Sequence, residues 1–365
     1  MKKIILFTDN LGSGGAQRQL VNLAAMLKER QYDVSVLVYQ DTPFYKHYLD
    51  EQNIPVILIE RPSYLRRLFA VRRYLRRSGA DAVISFLETP GFIACFSKIG
   101  GAKWKLITGE RSAKRKTFTN RRQRFFNQFE RFADAKVCNS ENARRLWQKF
   151  YPQWNEKYVT IYNPVNIPEC ILKAAQEHIR SDRFVITVAA SYQRLKNPIG
   201  VVEAVNQLSA DHKSRLRLIW HGRQNVSIEN TAAYEKAASL VERYGLQEIV
   251  QLKAETSDIY SVMAESDAIG LFSFVEGLPN AICEGMTLGK PIIMSRVSDY
   301  DILTTDNGVL CDPRSVDSIR DALATLLDAS EETMREMGKI SKEKATVLFS
   351  KDRVCDQWIA LIEDL

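Results

Sequence analysis

Histidine is scarce in this chain, with 4 in 365 residues, and its 6 cysteines never fall at a short paired spacing. The cysteines stand at positions 95, 138, 170, 283, 311 and 355, so neither a zinc knuckle nor a disulfide framework can be written from them. They read as reduced, mostly buried thiols. Long apolar runs are also missing: nothing approaches the ~20 residues that span a bilayer. The opening "MKKIILFTDN" runs directly into a strand-like segment, whereas a signal peptide would need a longer apolar stretch and a small-residue cleavage site. A cytoplasmic protein is the expectation. There is no low-complexity segment and no short-period repeat.

Against these absences stand an ordinary globular composition, 45% hydrophobic and 26% charged, and a net charge of +7. The charge is unevenly spread. Residues 61–150 hold 22 Lys and Arg against 6 Asp and Glu, more than the whole net excess. A field of that sign suits nucleic acid, an anionic membrane face or a phosphorylated ligand, and composition does not choose among them.

The length fits two domains of roughly 150–200 residues each. "KKIILFT", "DVSVLVY", "IPVILIE", "ADAVISF", "WKLITGE" and "AKVCNS" read as apolar strands, separated by helical patterns that include a basic helix around 119–133. Such strands imply a parallel sheet covered on both faces. Asn163-Pro164 and Ile167-Pro168 punctuate the chain, and a polar helix over 170–180 precedes a second series: "RFVITVAAS", "LRLIWHG", "IVQLKA", "DAIGLFSF", "KPIIMS" and "GVLCD". The reading is α/β, with two doubly wound domains at 1–165 and 166–348. An amphipathic helix at 349–365 is expected to fold back toward the first domain.

Ligands of open parallel sheets bind beyond the carboxyl ends of the strands, and two such domains can offer those ends across a cleft. "FSFVEGLPNAICEGMTLGKPIIMS" (272–295) falls at such an end. A helix starting near Pro279 directs free N–H groups and a positive dipole end outward, a place for an anion. Gly277 admits close backbone approach. Glu276 can accept hydrogen bonds from ligand hydroxyls, and Glu284 suits a vicinal diol such as a ribose. On spacing alone, however, a helix-start glutamate followed by a solvated one is the favoured reading.

"SFVEGLPNAICEGMTLGKPII" resembles the signature of glycosyltransferase family 4, retaining enzymes of the two-domain GT-B fold. "GSGGAQRQLVNLA" (12–24) resembles the family's N-terminal glycine loop, and "CNSENARR" (138–145) and "IYNPVN" (161–166) its interdomain segments. The resemblance spans essentially the whole chain. It implies a GT-B architecture of two Rossmann-like domains, the first binding acceptor and the second a nucleotide-sugar donor. It implies that Glu276 contacts the donor sugar and Glu284 the ribose hydroxyls, with Gly277, Leu278, Pro279 and Asn280 offering backbone amides to sugar and diphosphate. Lys196, in "YQRLKNP", resembles the family's diphosphate lysine, and Arg194 is the expected second cation, although the loop is shorter than usual. Gly14 and Gly15 would lie near the donor phosphates, as the family's glycine loop does. The sequence departs from the pattern in lacking the usual N-terminal-domain histidine, since His47 lies in a helical, surface-like stretch. "TGERSAKR" stands there instead, which puts Glu110 and Arg111 on the acceptor side. His221, in "WHGR", suits either the cleft or a structural role.

The resemblance further implies no cofactor and no metal, with a UDP-sugar as the commonest donor in the family. Asp299-Tyr300-Asp301 has the spacing of a metal motif but follows the donor segment. Transfer with retention through an oxocarbenium-like state is implied, the departing phosphate oxygen taking the acceptor's proton. The acceptor would be a glycan or a polyprenyl-linked lipid. In "SYLRRLFAVRRYLRR", Arg66, Arg73 and Arg77 fall within roughly 40° of one another, opposite Leu68, Val71 and Leu75. With a second cluster, Lys114, Arg115, Lys116, Arg121, Arg122 and Arg124, this basic face suits an anionic inner leaflet or a phosphorylated lipid acceptor better than nucleic acid. Two alternatives stay open: a nucleotide-sugar 2-epimerase of the same architecture, and a catalytically silent nucleotide-sugar-binding scaffold.

Overall fold

The computed structural model describes residues 1–111, 116–179, 181–224 and 228–365. These form two compact units, Met1–Pro164 with Lys351–Leu365, and Val165–Ser350. In the first, β1 (Lys3–Phe7), β2 (Asp33–Val38), β3 (Val56–Leu58), β4 (Ala82–Phe86), β5 (Lys105–Glu110), β6 (Ala135–Cys138) and β7 (Tyr158–Thr160) form one sheet in the order 3-2-1-4-5-6-7. In the second, β8 (Phe184–Ala189), β9 (Leu216–His221), β10 (Val250–Lys253), β11 (Ala268–Leu271), β12 (Ile292–Ser295) and β13 (Gly308–Cys311) take the order 10-9-8-11-12-13. All neighbouring strands run parallel. The two doubly wound α/β units expected from the strand pattern are therefore present.

Strand β1 shows why the apolar runs are continuous. Ile4 and Leu6 pack into one core cluster with the Gly15–Glu29 helix, while Ile5 and Phe7 pack into another on the opposite face. Successive side chains of a strand leave by opposite faces, so a sheet covered twice needs no polar positions. The second cluster takes Leu68, Val71 and Leu75 from the Tyr64–Arg77 helix, whose Arg66, Arg73 and Arg77 remain exposed. The first takes Val354, Cys355, Trp358 and Ile362 from the Lys351–Asp364 helix, so the chain's last helix is part of the first unit's core. Full burial of each such apolar side chain stabilises by about 1.5–3 kcal/mol.

Three details differ from the sequence reading. The Tyr158–Thr160 stretch, absent from the strands read in the sequence, pairs with β6 as a seventh strand. The basic segment at 119–133 is three short pieces, Lys116–Thr119, Arg121–Asn127 and the 3-10 turn Gln128–Phe132. Asn120 restarts the chain there by accepting a hydrogen bond from Gln123 N, an N-cap that one continuous helix would not contain. The polar helix expected over 170–180 spans Glu169–Gln176. Lys114 and Arg115 lie outside the described residues, as does the Lys116 side chain.

Candidate active site

In the second unit the strand order reverses between β8 and β11. Ligands of open α/β sheets bind at such a switch point, beyond the carboxyl ends of the two strands involved. The loops leaving those ends carry Lys196 and Glu276. They are tied together by a backbone hydrogen bond from Phe274 N to Leu195 O at 2.8 Å.

The Lys196 loop is short because it folds as one 3-10 turn, Arg194–Lys196, closed by Asn197 in the left-handed region at φ 65°. Asparagine tolerates that conformation. Its side chain accepts from Gly200 N as the N-cap of the Pro198–Asn206 helix and donates to Pro313 O at 2.9 Å. This pins the turn, and the Lys196 ammonium lies 2.5 Å from Glu276 Oε1. Ser273 Oγ donates to the same carboxylate oxygen at 2.6 Å, and Ser295 Oγ donates to Ser273 O at 2.7 Å. The Arg194 side chain is exposed at the start of the turn.

Beyond Glu276, the carbonyl of Gly277 accepts from Ser298 Oγ, and Leu278 and Pro279 are buried. The helix begins at Asn280, one residue later than Pro279, which occupies the N-cap and offers no side-chain cap. A first turn without a side-chain acceptor leaves its outward N–H groups to solvent or to a ligand. Glu284, in the Asn280–Thr287 helix, is only 8% exposed, which overturns the reading of it as a solvated glutamate. The Tyr260 hydroxyl donates to its Oε1 at 3.4 Å. Burial, helped by that carboxylate and by Asp299, pushes the neighbouring Cys283 thiol well above its usual range, so the thiol stays protonated. The helix lies close on β11, because a Cβ on Gly285 would stand 2.6 Å from the Ile269 side chain.

A pocket of about 360 Å³ opens at the ends of β8 and β9, lined by Ala190, Ser191, Gln193, His221, Arg223 and Glu255 among others. Of these the sequence marked His221 alone as suiting a cleft. Beside it stands Gly222, where a Cβ would fall 2.0 Å from Ala190 O, so the strand ends approach too closely for any side chain. His221 Nδ1 donates to Ala254 O at 3.1 Å, and burial lowers the imidazole below its usual range, so the ring is neutral at pH 7.

The remaining candidates belong to the first unit. Gly14 is the N-cap of the Gly15–Glu29 helix and supplies no side-chain acceptor to it. The preceding loop is organised by Asp9, whose Oδ1 accepts from Asn10 N at 2.8 Å and Gln17 Nε2 at 3.0 Å. Glu110 ends β5 buried, accepting from Trp147 Nε1 at 3.1 Å and from Arg111 N at 3.0 Å. Arg111 lies over the Phe86 ring at 3.5 Å and donates to Asn163 Oδ1 at 3.0 Å. Burial brings its guanidinium down to about 9, so it remains charged at neutral pH. His47 is exposed in the Lys46–Glu51 helix.

Residues 172–344 match the family model described as glycosyl transferases group 1, and residues 13–168 the model of glycosyltransferase family 4. The chain belongs to glycosyltransferase family 4. Over 97% of its own length and 97% of the relative's, this glycosyltransferase is 23% identical to a Campylobacter jejuni protein. That relative is named N-acetylgalactosamine-N,N'-diacetylbacillosaminyl-diphospho-undecaprenol 4-alpha-N-acetylgalactosaminyltransferase. A second C. jejuni relative is 25% identical over 100% of this chain and 99% of its own, and is named as an alpha-1,4-N-acetyl-D-galactosaminyltransferase acting on a diNAcBac-PP-undecaprenol glycan. Among solved structures, Anabaena HepE in complex with UDP and glucose superposes with a TM-score of 0.83 at 18% identity, covering 100% of both chains. The family-4 glycosyltransferase thus has a GT-B fold.

Proposed function

We propose that this glycosyltransferase moves a sugar from a UDP-sugar to a lipid-linked glycan acceptor, with retention of anomeric configuration and without a metal. It would act at the membrane surface that carries the acceptor, in cell-surface glycan synthesis. The observation that carries the reading is the contact between Lys196 and Glu276 at the β8–β11 switch point. Lys196 and Arg194 are assigned to the diphosphate, where cations offset the charge of the leaving group. Glu276 is assigned to the donor sugar, Glu284 to the ribose diol, and the N–H groups of residues 277–280 to sugar and phosphate. The pocket at the ends of β8 and β9 is assigned to the nucleoside. Gly14 and Gly15 are assigned to the donor phosphates, and Glu110 and Arg111 to positioning the acceptor-side loop.

In the proposed step the bond from the anomeric carbon to the phosphate oxygen breaks, and its electron pair leaves with the diphosphate. The acceptor hydroxyl attacks the same face of the oxocarbenium-like carbon, and its proton passes to the departing phosphate oxygen. The C. jejuni relatives' names support the acceptor class, and UDP in the HepE complexes supports the nucleotide.

The test is a panel of UDP-, GDP- and ADP-sugars assayed for thermal shift with and without EDTA, followed by transfer to a polyprenyl-diphosphate glycan. An α-linked product from an α-donor, undiminished by EDTA, is expected. A β-linked product overturns retention, and loss of turnover with EDTA overturns metal independence. An epimerised donor formed without acceptor would overturn transfer itself.

A further inference from the structure

The first unit presents a surface that the transfer chemistry does not use. Its centre is a ridge of aromatic rings. Phe69 of the Tyr64–Arg77 helix meets Phe96 edge-on with centroids 5.9 Å apart, and Phe96 stacks on Phe92 at 6.4 Å. Phe92 meets Phe126 of the Arg121–Asn127 helix at 4.7 Å, and Phe125 follows at 5.8 Å from Phe126. The two basic helices are therefore joined through the Glu88–Lys98 helix that carries Phe92 and Phe96. A pocket of about 570 Å³ lined by Tyr64, Phe92, Arg122 and Phe126 opens beside the ridge.

Two properties of this surface are unusual for a soluble protein. Leu65, Phe69 and Phe125 are 64%, 59% and 61% exposed, an apolar edge with nothing over it among the described residues. On the two helices that flank that edge the charge has one sign, and the exposed Glu88, which lines the pocket, is the carboxylate beside them. The Tyr64–Arg77 helix holds six arginines and the Arg121–Asn127 helix three, with no Asp or Glu in either. Two of the nine are structural, since Arg72 donates to Phe96 O and Ile99 O, and Arg76 to Ile99 O and Gly100 O, capping the end of the Glu88–Lys98 helix. Arg66, Arg73, Arg77, Arg121, Arg122 and Arg124 are exposed.

We infer that this surface docks on an anionic lipid bilayer, with Leu65, Phe69 and Phe125 entering the headgroup region and the exposed arginines meeting lipid phosphates. Charge complementarity selects this occupant. Apolar side chains flanked by like-signed arginines are what an in-plane interfacial element needs, and each surface arginine adds attraction to an anionic leaflet. A protein partner would need acidic counterparts across the whole face, and no recognised nucleic-acid module accompanies the charge. The inference rests on the proposed lipid-linked acceptor, which would bring the enzyme to a bilayer, and it assigns the surface that does so.

The experiment is co-sedimentation of the full chain with vesicles of phosphatidylcholine alone and of phosphatidylcholine mixed with phosphatidylglycerol. Two variants are run beside it, Arg66→Gln/Arg73→Gln/Arg121→Gln/Arg124→Gln and Leu65→Ser/Phe69→Ser/Phe125→Ser. The parent is expected to bind only the anionic vesicles, and the arginine variant to bind them at least about tenfold more weakly. The apolar variant should keep low-salt binding and lose what survives at high salt, because screening removes only the electrostatic part. An unchanged donor-induced thermal shift shows that each variant is folded. Equal binding to neutral vesicles, or variants that bind like the parent, overturns the inference. So does binding that depends only on added polyprenyl-diphosphate acceptor, which would move the ligand to the pocket. Turnover of that acceptor in detergent without vesicle binding refutes this surface alone, whereas vesicle binding with no transfer to any lipid acceptor refutes the proposed function and leaves the surface standing.

Discussion

The two units share a strand arrangement and use the carboxyl ends of their strands differently. In the second, the loops beyond β8 and β11 hold their polar side chains toward one another: Lys196 to Glu276, and Ser273 to Glu276. In the first, the residues singled out at the end of β5 are bound inward, Glu110 by Trp147 and Arg111 by Asn163 and Phe86. The distinctive chemistry of the first unit lies instead on helices, as exposed arginine and phenylalanine. A site built on loops at strand ends shows in sequence as a short motif, whereas a surface assembled from three helices shows only as composition. The same contrast predicts different outcomes for substitution. Changes at the β8–β11 loops should remove activity and spare the fold, and changes at the end of β5 should act first on stability.

The largest effect is expected at Glu276 and Lys196. Either Glu276→Ala or Lys196→Ala should lower kcat by about 10²–10³, the range for removing one electrostatic stabiliser of a transition state. Glu276→Ala should leave UDP affinity near that of the parent, by calorimetric titration. A Glu276→Ala enzyme with parental kcat would sink the sugar assignment and, with it, the contrast between the units.

Glu110→Ala should come next, and on stability. It leaves the buried Trp147 indole N–H and the Arg111 amide without their acceptor, and a stranded buried donor costs about 1–3 kcal/mol. Urea denaturation should show the midpoint fall. A parental midpoint with lost transfer would place Glu110 in the chemistry and erase this difference between the units.

Much of this was legible in the chain. The apolar runs located twelve of the strands, because a doubly covered sheet leaves no polar position to obscure them. The contact between Lys196 and Glu276, 80 residues apart, was not visible from spacing, since only the strand order brings β8 beside β11. The split of the 119–133 segment turns on one side chain, Asn120, whose capping bond no helical period reveals. Likewise, arginine counting showed a basic helix but not that Arg72 and Arg76 serve as caps, which depends on where the Glu88–Lys98 helix ends. Tyr158–Thr160 is three residues long and strand-like only through its pairing with β6.

A smaller binding effect is expected at Glu284. If its buried carboxylate takes the ribose diol, Glu284→Ala should weaken UDP binding by roughly tenfold, about 1.4 kcal/mol. Glu284→Asp should recover little, since the shorter side chain withdraws the acceptor by about a bond length. Parental UDP affinity in Glu284→Ala would mean that the carboxylate holds the helix, as Glu110 holds β5, and not the ligand.

The smallest effect concerns a buried charge in the second unit that no loop uses. Lys290 is 4% exposed, its ammonium donates to Ala175 O at 3.4 Å, and burial lowers it to about 8 against the opposing pull of Asp267. In the unfolded chain a lysine titrates near 10.4. Between those values the unfolded state binds more protons than the folded one, so stability should rise with pH from about 8 to about 10. Below that window the ammonium is charged in both states and the burial cost is fully felt. Because other groups titrate over the same range, the comparison is with Lys290→Met, in which this contribution should vanish and the pH slope flatten by on the order of 1 kcal/mol. An unchanged slope would mean that Asp267 holds the ammonium charged throughout, as Glu130 does for the buried Lys136.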